Sequence, residues 1–368
     1  MATLRVGIVG GRRGGGYGRI FDAMPETELR AVCDLDPVAR EKAREQGVPL
    51  VFAEYERLLA SDVDVVLVAT PPEFHAAQAI AALDAGKHVL SEVPAAHTLE
   101  ECFRLLGAAE RATARGVKYM LAENYRYRDA AEVVKRMAED GKFGEIYNAE
   151  GEYLHEARHL QYNPDGSLTW RGRYPGILYT THDVGPILWI MQDRVTRAVC
   201  LDTGPSRIDS RFPRSDVHAA LFQTERLGLV KYRHDHLSLR PHNLPYFSIQ
   251  GTNGAFEEAR GLGDAPKVYV HGESPANEWE PLAKYADRYL SDEWRRIPPW
   301  AGATGHWGSD YRVAAAFVRC VLDDTAPPIG VYDALTWTIP GICALESSLR
   351  GGQPVGVPVF APASARRG

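Results

Sequence analysis

The stretch Arg5-Val6-Gly7-Ile8-Val9-Gly10-Gly11-Arg12-Arg13-Gly14-Gly15-Gly16, with Asp34 closing Ala31-Val32-Cys33-Asp34, decides the fold. It reads as a buried strand, a glycine-rich turn, a short helix and a second strand ending in an acid. That order builds a dinucleotide pocket: the turn lets a pyrophosphate approach backbone N–H groups, and the helix N-terminus favours its charge. An acid about twenty residues beyond the turn can accept hydrogen bonds from the adenosine ribose hydroxyls. Counted from Gly10, the G-x-G-x-x-G template meets Gly15 but puts Arg12 where its second glycine belongs. Gly10, Arg12, Arg13, Gly14, Gly15 and Asp34 are the expected cofactor residues at this end. The Asp34 carboxylate repels a 2′-phosphate and favours NAD over NADP, while Arg12 and Arg13 pull the other way.

Outward from this unit, strands and helices alternate. Val63 to Ala69 is an apolar run of strand length ending in Thr70-Pro71-Pro72, Ala76 to Ala85 is helical, and His88 to Glu92 is the next strand. Thr98 with Glu101 forms a capping box for a helix to about Arg115. Val117 to Ala122 is a further strand, and Arg128 to Asp140 a further helix stopped by Gly141. Such alternation implies a doubly wound parallel sheet covered on both faces, an α/β domain over residues 1–124. From about Gly144 the pattern changes. Ile146–Tyr153, Arg197–Leu201, Val217–Thr224, Leu227–Arg233 and Tyr246–Gln250 read as strands with short turns. They predict an open, mostly antiparallel sheet in a C-terminal α+β domain over 125–368. Pro266 to Thr304 reads as an irregular excursion. Ser309–Asp323 and Val331–Leu349 read as closing helices that are able to pack back on the first domain.

Composition narrows the function. The 368 residues carry a formal net charge of −6, which argues against nucleic-acid and membrane partners, since both favour a basic face. The opening strand leaves no room for a signal peptide, and no apolar run approaches a bilayer span. Five scattered cysteines lack C-x-x-C spacing, so neither a disulfide framework nor a thiolate metal site is expected. The expectation is a cytoplasmic protein with reduced thiols.

Three strand ends converge on the crevice where such folds bind ligands, at the carboxyl ends of the parallel strands and under the second domain. They carry Thr70-Pro71-Pro72 with His75, Glu92-Val93-Pro94, and Glu123-Asn124-Tyr125. Pro71-Pro72 stiffens a loop beside the cofactor, and Glu92 is placed to hydrogen-bond the nicotinamide ribose. Ordinary turn chemistry also accounts for each motif alone. A second cluster is Gly176-Ile177-Leu178-Tyr179-Thr180-Thr181-His182-Asp183-Val184-Gly185-Pro186. The imidazole of His182 can take a hydroxyl proton as a hydride leaves the same carbon. Tyr179, about one helical turn earlier, can share its face.

These residues, in this order, resemble the Gfo/Idh/MocA oxidoreductase family, nearly from end to end. The resemblance implies an N-terminal Rossmann domain, a C-terminal domain with an open sheet, tight NAD or NADP binding, and a homo-oligomer. Two departures matter. Val93 stands where most dehydrogenases of the family carry a lysine between Glu and Pro, and Ile187 stands where Asp183-x-Gly185-x would be followed by His. Glu92-Val93-Pro94-Ala95 and Tyr179-Thr180-Thr181-His182 with Gly185-Pro186 instead resemble a subgroup containing NAD-dependent glycosidases of the α-N-acetylgalactosaminidase type. Glu123-Asn124 with Tyr127, Tyr153-Leu154-His155 with Arg158, Trp170-Arg171 and Gln250-Gly251-Thr252 are similar to that subgroup too. The resemblance implies His182 and Tyr179 as catalytic residues and Tyr127, His155, Arg158, Trp170 and Arg171 as residues toward a carbohydrate. It adds Thr70, Pro71, Pro72, His75, Glu92, Val93 and Asn124 to the cofactor set.

Two activities share these residues. One is net hydride transfer from a carbohydrate or cyclitol hydroxyl carbon to NAD. The alternative is redox-neutral glycoside hydrolysis, in which bound NAD is reduced and re-oxidised within each turnover. A nucleotide-binding sensor without catalysis is a third reading. His155-Glu156-Ala157-Arg158-His159 satisfies the zinc-protease pattern H-E-x-x-H. That chemistry needs a helix, whereas the motif closes an alternating strand, so no metal is expected. His234-Asp235-His236 puts both imidazoles on one side of a strand, which a solvated sheet face explains. A dimer or tetramer through the C-terminal sheet is the expected assembly.

Overall fold

The computed structural model describes residues 3–360. Two compact units divide the chain: the first runs to Asn124 and includes Ile297–Leu335, and the second comprises Tyr125–Arg296 with Thr336–Phe360. In the first unit, β1 (Leu4–Val9), β2 (Thr27–Cys33), β3 (Leu50–Phe52), β4 (Val65–Val68), β5 (His88–Ser91) and β6 (Tyr119–Leu121) form a six-stranded sheet ordered β3-β2-β1-β4-β5-β6. Every pairing is parallel. The order reverses between β1 and β4, so their carboxyl ends make the switch point where such sheets bind ligands. All four residues of β4 are buried, as a strand covered on both faces requires.

The connecting helices are α1 (Gly11–Ala23), α2 (Pro37–Glu45), α3 (Tyr55–Leu59), α4 (His75–Asp84) and α5 (Leu99–Thr113). Asp36 caps α2 by accepting from Val38 N at 2.9 Å, ahead of Pro37 in the first turn. The predicted capping box is formed: Thr98 Oγ1 accepts from Glu101 N at 3.2 Å, and the Glu101 carboxylate accepts from Thr98 N at 3.0 Å. The glycine-rich segment is shorter as a turn than the sequence suggested. Gly10 alone reverses the chain, at φ +95°, and α1 begins at Gly11, so Arg12 to Gly16 are already helical. A Cβ on Gly10 would lie 2.4 Å from the Ala69 carbonyl oxygen, so only glycine lets β1 and β4 close over this turn.

In the second unit, β7 (Ile146–Leu154), β8 (Val195–Asp202), β9 (Val217–Thr224), β10 (Leu229–Asp235), β11 (Asn243–Gly251), β12 (Gly254–Glu257), β13 (Lys267–Val270), β14 (Glu280–Pro281) and β15 (Val355–Gly356) form one nine-stranded sheet. Its order is β14-β13-β12-β11-β7-β10-β9-β8-β15. The β7–β10 pair is parallel and the other pairs are antiparallel. Burial alternates along β9, with His218, Ala220, Phe222 and Thr224 inward, the mark of a sheet covered on one face. The buried helix Thr181–Met191 lies against β7 and β11. Leu201, Leu221, Leu229 and Tyr147 stand exposed on the strands.

The segment read as an irregular excursion contains β13, β14 and the helices Ala283–Tyr289 and Asp292–Arg295. Val268 and Val270 turn inward between polar neighbours and extend the sheet. Proline and tryptophan around them mask that short alternation. Among the described residues, the five cysteines are buried and free, and no helix is long and apolar enough to cross a membrane.

Candidate functional site

The first unit gathers its polar residues at the switch point. Gly10 follows β1 and leads into α1, and Asp34 closes β2 beside the first turn of that helix. Asp34 Oδ2 accepts from Gly11 N at 2.6 Å and Oδ1 accepts from Asp36 N at 2.8 Å, which fixes the carboxylate in place. Arg13, three positions into α1, reaches inward. Its Nε donates to Glu92 Oε1 at 2.6 Å, and its two Nη atoms donate to Asp310 at 3.0 and 3.3 Å. Asp310 also accepts from Asn124 Nδ2 at 2.9 Å and faces His306 Nδ1 at 3.0 Å. Burial alone would raise the Asp310 carboxyl. The His306 hydrogen bond and the Arg13 charge outweigh it and hold the group well below the usual carboxylate range. Arg13 also lies 5.1 Å from the centroid of the buried Tyr17 ring.

The other expected cofactor residues differ in kind. Arg12 points to solvent, its side chain 81% exposed and 3.2 Å from Asp36. Gly14 lets α1 lie on β1, since a Cβ there would come 2.3 Å from Ile8 Cγ2. Gly15 belongs to the second turn of α1, and nothing lies within 4 Å of its missing Cβ. With Gly16, Arg12 and Arg19 it lines a cleft of about 1010 Å³ that runs toward Lys42 and Trp300. Thr70 Oγ1 donates to Gln78 Oε1 at 2.6 Å. Pro71 leads into a short 3-10 turn that opens at Pro72, and Val93 is buried. His75 is buried, with ring nitrogens 2.9 Å from the Pro94 carbonyl and 2.8 Å from that of Thr70. It braces two loops of the switch point against each other.

The second unit holds a cluster of rings with few charges. Tyr179 ends the 3-10 turn Gly176–Tyr179, and His182 lies in the first turn of the helix that follows. Both pack on Tyr153 from the end of β7, at centroid distances of 6.2 and 5.2 Å. Tyr125 lies 4.6 Å from His182. Arg171 Nη1 donates to the Tyr179 hydroxyl at 3.3 Å, while its guanidinium sits 4.4 Å over the Trp170 ring. His155 meets Tyr153 edge-on at 5.8 Å and His242 at 4.8 Å. Burial, then the neighbouring His242 and Arg171, pushes the His155 imidazole down to about 4. Burial holds the Tyr153 phenol well above its ordinary value, so it stays protonated.

The cluster brings together Tyr179, His182, His155, Trp170 and Arg171, but neither Tyr127 nor Arg158. Tyr127 stacks on Trp294 at 6.2 Å beneath Arg126, and Arg158 pairs with Glu156 at 2.7 Å in a separate turn. The expectation for His234 and His236 needs correcting. They do share one side of β10 and its continuation, yet they are 1% and 5% exposed, with Nε2 atoms 3.0 Å apart. Gly176 and Tyr153 cover that face, which a strand read by itself does not reveal. Asp310, His306, Tyr153 and Tyr125 were missed as site residues. Tyr125 and Tyr153 stood inside quoted motifs, whereas nothing near Asp310 announced its partner 297 residues away. Among the described residues no group of three or more His, Cys, Asp or Glu is placed to hold a metal, and His155 and His159 lie on different elements.

Known proteins bear on both units. Residues 4–120 match the family described as "Oxidoreductase family, NAD-binding Rossmann fold", and residues 192–365 match "Glycosyl hydrolase 109, C-terminal domain". A glycosyl hydrolase family 109 protein of Saccharopolyspora erythraea is 32% identical over 97% of this chain and 83% of its own length. One from Streptomyces niveus is 33% identical over 98% and 78%. Among solved structures, an oxidoreductase domain protein from Kribbella flavida superposes with a TM-score of 0.83 at 22% identity, over 97% of this chain and all of its own. Levoglucosan dehydrogenase in complex with NADH and levoglucosan gives 0.81 at 21%, over 97% of this chain and 100% of that one. These two show the shared fold. The first unit is an NAD-binding Rossmann domain, and its own geometry fits that cofactor: a glycine cradle that a Cβ would fill, a helix N-terminus and a fixed acid at the end of β2. At this identity across nearly its whole length, the chain belongs to glycosyl hydrolase family 109.

Proposed function

We propose that the chain is a redox-neutral, NAD-dependent glycoside hydrolase in which the ring cluster of the second unit holds the carbohydrate. The observation that carries this is the packing of Tyr179 and His182 on Tyr153, with Arg171 on the Tyr179 hydroxyl, in a chain of glycosyl hydrolase family 109. Hydride transfer at a carbinol carbon is common to both activities read from the sequence. They differ only in whether the hydride returns.

Gly10, the N–H groups of Arg12 and Arg13, Asp34, Glu92 and Asn124 would hold NAD. Bound NAD would supply a reversible hydride acceptor for C3 of the sugar. His182 takes the proton of the C3 hydroxyl as that hydride departs, forming a C3 carbonyl. The carbonyl acidifies the C2 proton, and Tyr179 removes it. A proton leaving the Tyr179 oxygen leaves negative charge beside the Arg171 guanidinium, which stabilises it. The electron pair of the C2–H bond forms a C1–C2 double bond as the C1–O bond breaks, and the aglycone leaves with the proton that Tyr179 took from C2. Water then adds across that double bond, His182 returns its proton to O3, and the net change is hydrolysis. Tyr153, kept protonated by burial, would offer the sugar a hydrogen-bond donor. Trp170 and Tyr174 offer flat apolar surface beside the polar groups.

Incubation with a panel of p-nitrophenyl glycosides, following nitrophenolate and NADH absorbance together, tests this. Nitrophenolate without net NADH is expected, with solvent deuterium appearing at C2 of the product. Accumulation of NADH in step with product would establish the net dehydrogenase instead. The exposed leucines of the sheet favour a homo-oligomer, and the buried cysteines, none in a disulfide among the described residues, favour a reducing, cytoplasmic setting.

A further inference from the structure

The pair His234–His236 has no part in the steps above, yet it sits inside the ring cluster. His236 lies edge-on to Tyr153 at 5.3 Å, to Tyr179 at 5.5 Å and to His155 at 6.0 Å. Its Nε2 is 3.0 Å from Nε2 of His234, a hydrogen-bond distance, so one nitrogen carries a proton and the other a lone pair. Both imidazoles are neutral near pH 7, because burial holds them well below the ordinary value.

Which of them donates follows from the far side of His234. Its Nδ1 is buried with no hydrogen-bond partner. Gly176 lies against that edge so closely that a Cβ there would fall 1.9 Å from Cε1 and 2.3 Å from Nδ1 of the ring. No water fits between them. A proton on Nδ1 would be a buried, unpaired N–H, whereas a bare lone pair there costs less. His234 therefore carries its proton on Nε2 and donates to Nε2 of His236. His236, whose Nε2 is thus the acceptor, must carry its own proton on Nδ1.

We propose that the His234–His236 pair makes His236 a specificity-determining residue, a neutral N–H donor of fixed tautomer for an oxygen of the carbohydrate. His234 and Gly176 act through it as positioning residues: one sets the tautomer, the other makes room for the ring that sets it. A neutral donor suits a hydroxyl or an amide carbonyl of a sugar substituent, because it distinguishes an oxygen acceptor from a hydrogen or methyl at that position. This rests on the cluster being the carbohydrate site.

Two measurements on the full-length holoprotein test it. In protein labelled with ¹⁵N-histidine, the ring nitrogens at pH 7 should show His234 protonated at Nε2 and His236 at Nδ1. The reversed pattern overturns the proposal. In the nitrophenyl glycoside assay, His236→Phe keeps the ring and removes the donor. It should raise KM roughly tenfold with kcat changed much less. His234→Gln, which still donates to His236, should stay near wild type in KM, while His234→Leu should resemble His236→Phe. An unchanged KM in a folded His236→Phe protein overturns the contact. A wild type that releases nitrophenolate from no glycoside overturns the carbohydrate site together with the contact, whereas reversed tautomers in an active enzyme overturn the contact alone.

Discussion

The two units handle buried polar groups in opposite ways. At the switch point of the first, charged groups pair with one another: Arg13 spans Glu92 and Asp310, and Asp310 also takes Asn124 and His306. In the ring cluster of the second, aromatic rings and imidazoles pack on one another, and Arg171 lies against two of the rings. A charge network holds atoms in one arrangement and is costly to cut. Neutral imidazoles and phenols can trade protons without creating an uncompensated buried charge. On the function proposed above, holding falls to the first unit and proton transfer to the second.

The largest effect should come from His182→Ala. Loss of the group that takes and returns the O3 proton should lower nitrophenolate release roughly a thousandfold, with NAD affinity unchanged by titration. Activity that survives this change would break the division of labour at once. Next comes Asp310→Ala, which deprives Arg13 of one anionic partner while Glu92 remains. Unfolding free energy in urea should fall by about 3 kcal/mol, and NAD should bind more weakly because Arg13 and Asn124 lose their common anchor. A loss of stability without any loss of NAD affinity would make the network structural only.

The halves also differ in how far they could be read in advance. The strand, Gly10 and Asp34 were legible because a dinucleotide turn is local: its residues are neighbours in sequence and each has a conformational or electrostatic reason to be there. The fourfold contact of Asp310 was not legible, because its partner Arg13 sits 297 residues away and a lone Asp at a helix start reads as a cap. His234 and His236 were legible in direction and misread in environment. Alternation tells which residues share a face but not what covers that face, and here the cover is Gly176 and Tyr153 from distant elements. Tyr127 and Arg158 sat in quoted motifs, yet the fold turns them toward Trp294 and Glu156.

The comparison predicts a pH signature as well. His155 and His218 are each pushed down to about 4, mainly by burial, against an unfolded value of 6.5. Below that value the unfolded chain binds protons that the folded chain refuses. Stability should be constant above about pH 6.5 and fall progressively toward pH 4, on the order of 3 kcal/mol for each group. His155→Phe should flatten the acid limb of unfolding free energy against pH. An equally steep limb in that variant would place the sensitivity elsewhere.

The smallest effect concerns a residue that the glycine pattern assigned to the cofactor. Gly15 lies in the second turn of α1, where its N–H belongs to the helix ladder, and nothing lies within 4 Å of a Cβ built there. Glycine inside a helix costs about 1 kcal/mol relative to alanine, and no close packing offsets that cost here. Gly15→Ala should therefore raise unfolding free energy by roughly 0.5–1 kcal/mol and leave NAD affinity within about twofold, because the free N–H groups that face a pyrophosphate belong to the first turn. Gly10→Ala, at φ +95° and against the Ala69 carbonyl, should do the reverse and lose both. If Gly15→Ala instead weakened NAD binding while stabilising the protein, the cofactor would run farther along α1 than its first turn, and the open cleft beside Arg12 and Arg19 would be part of its seat.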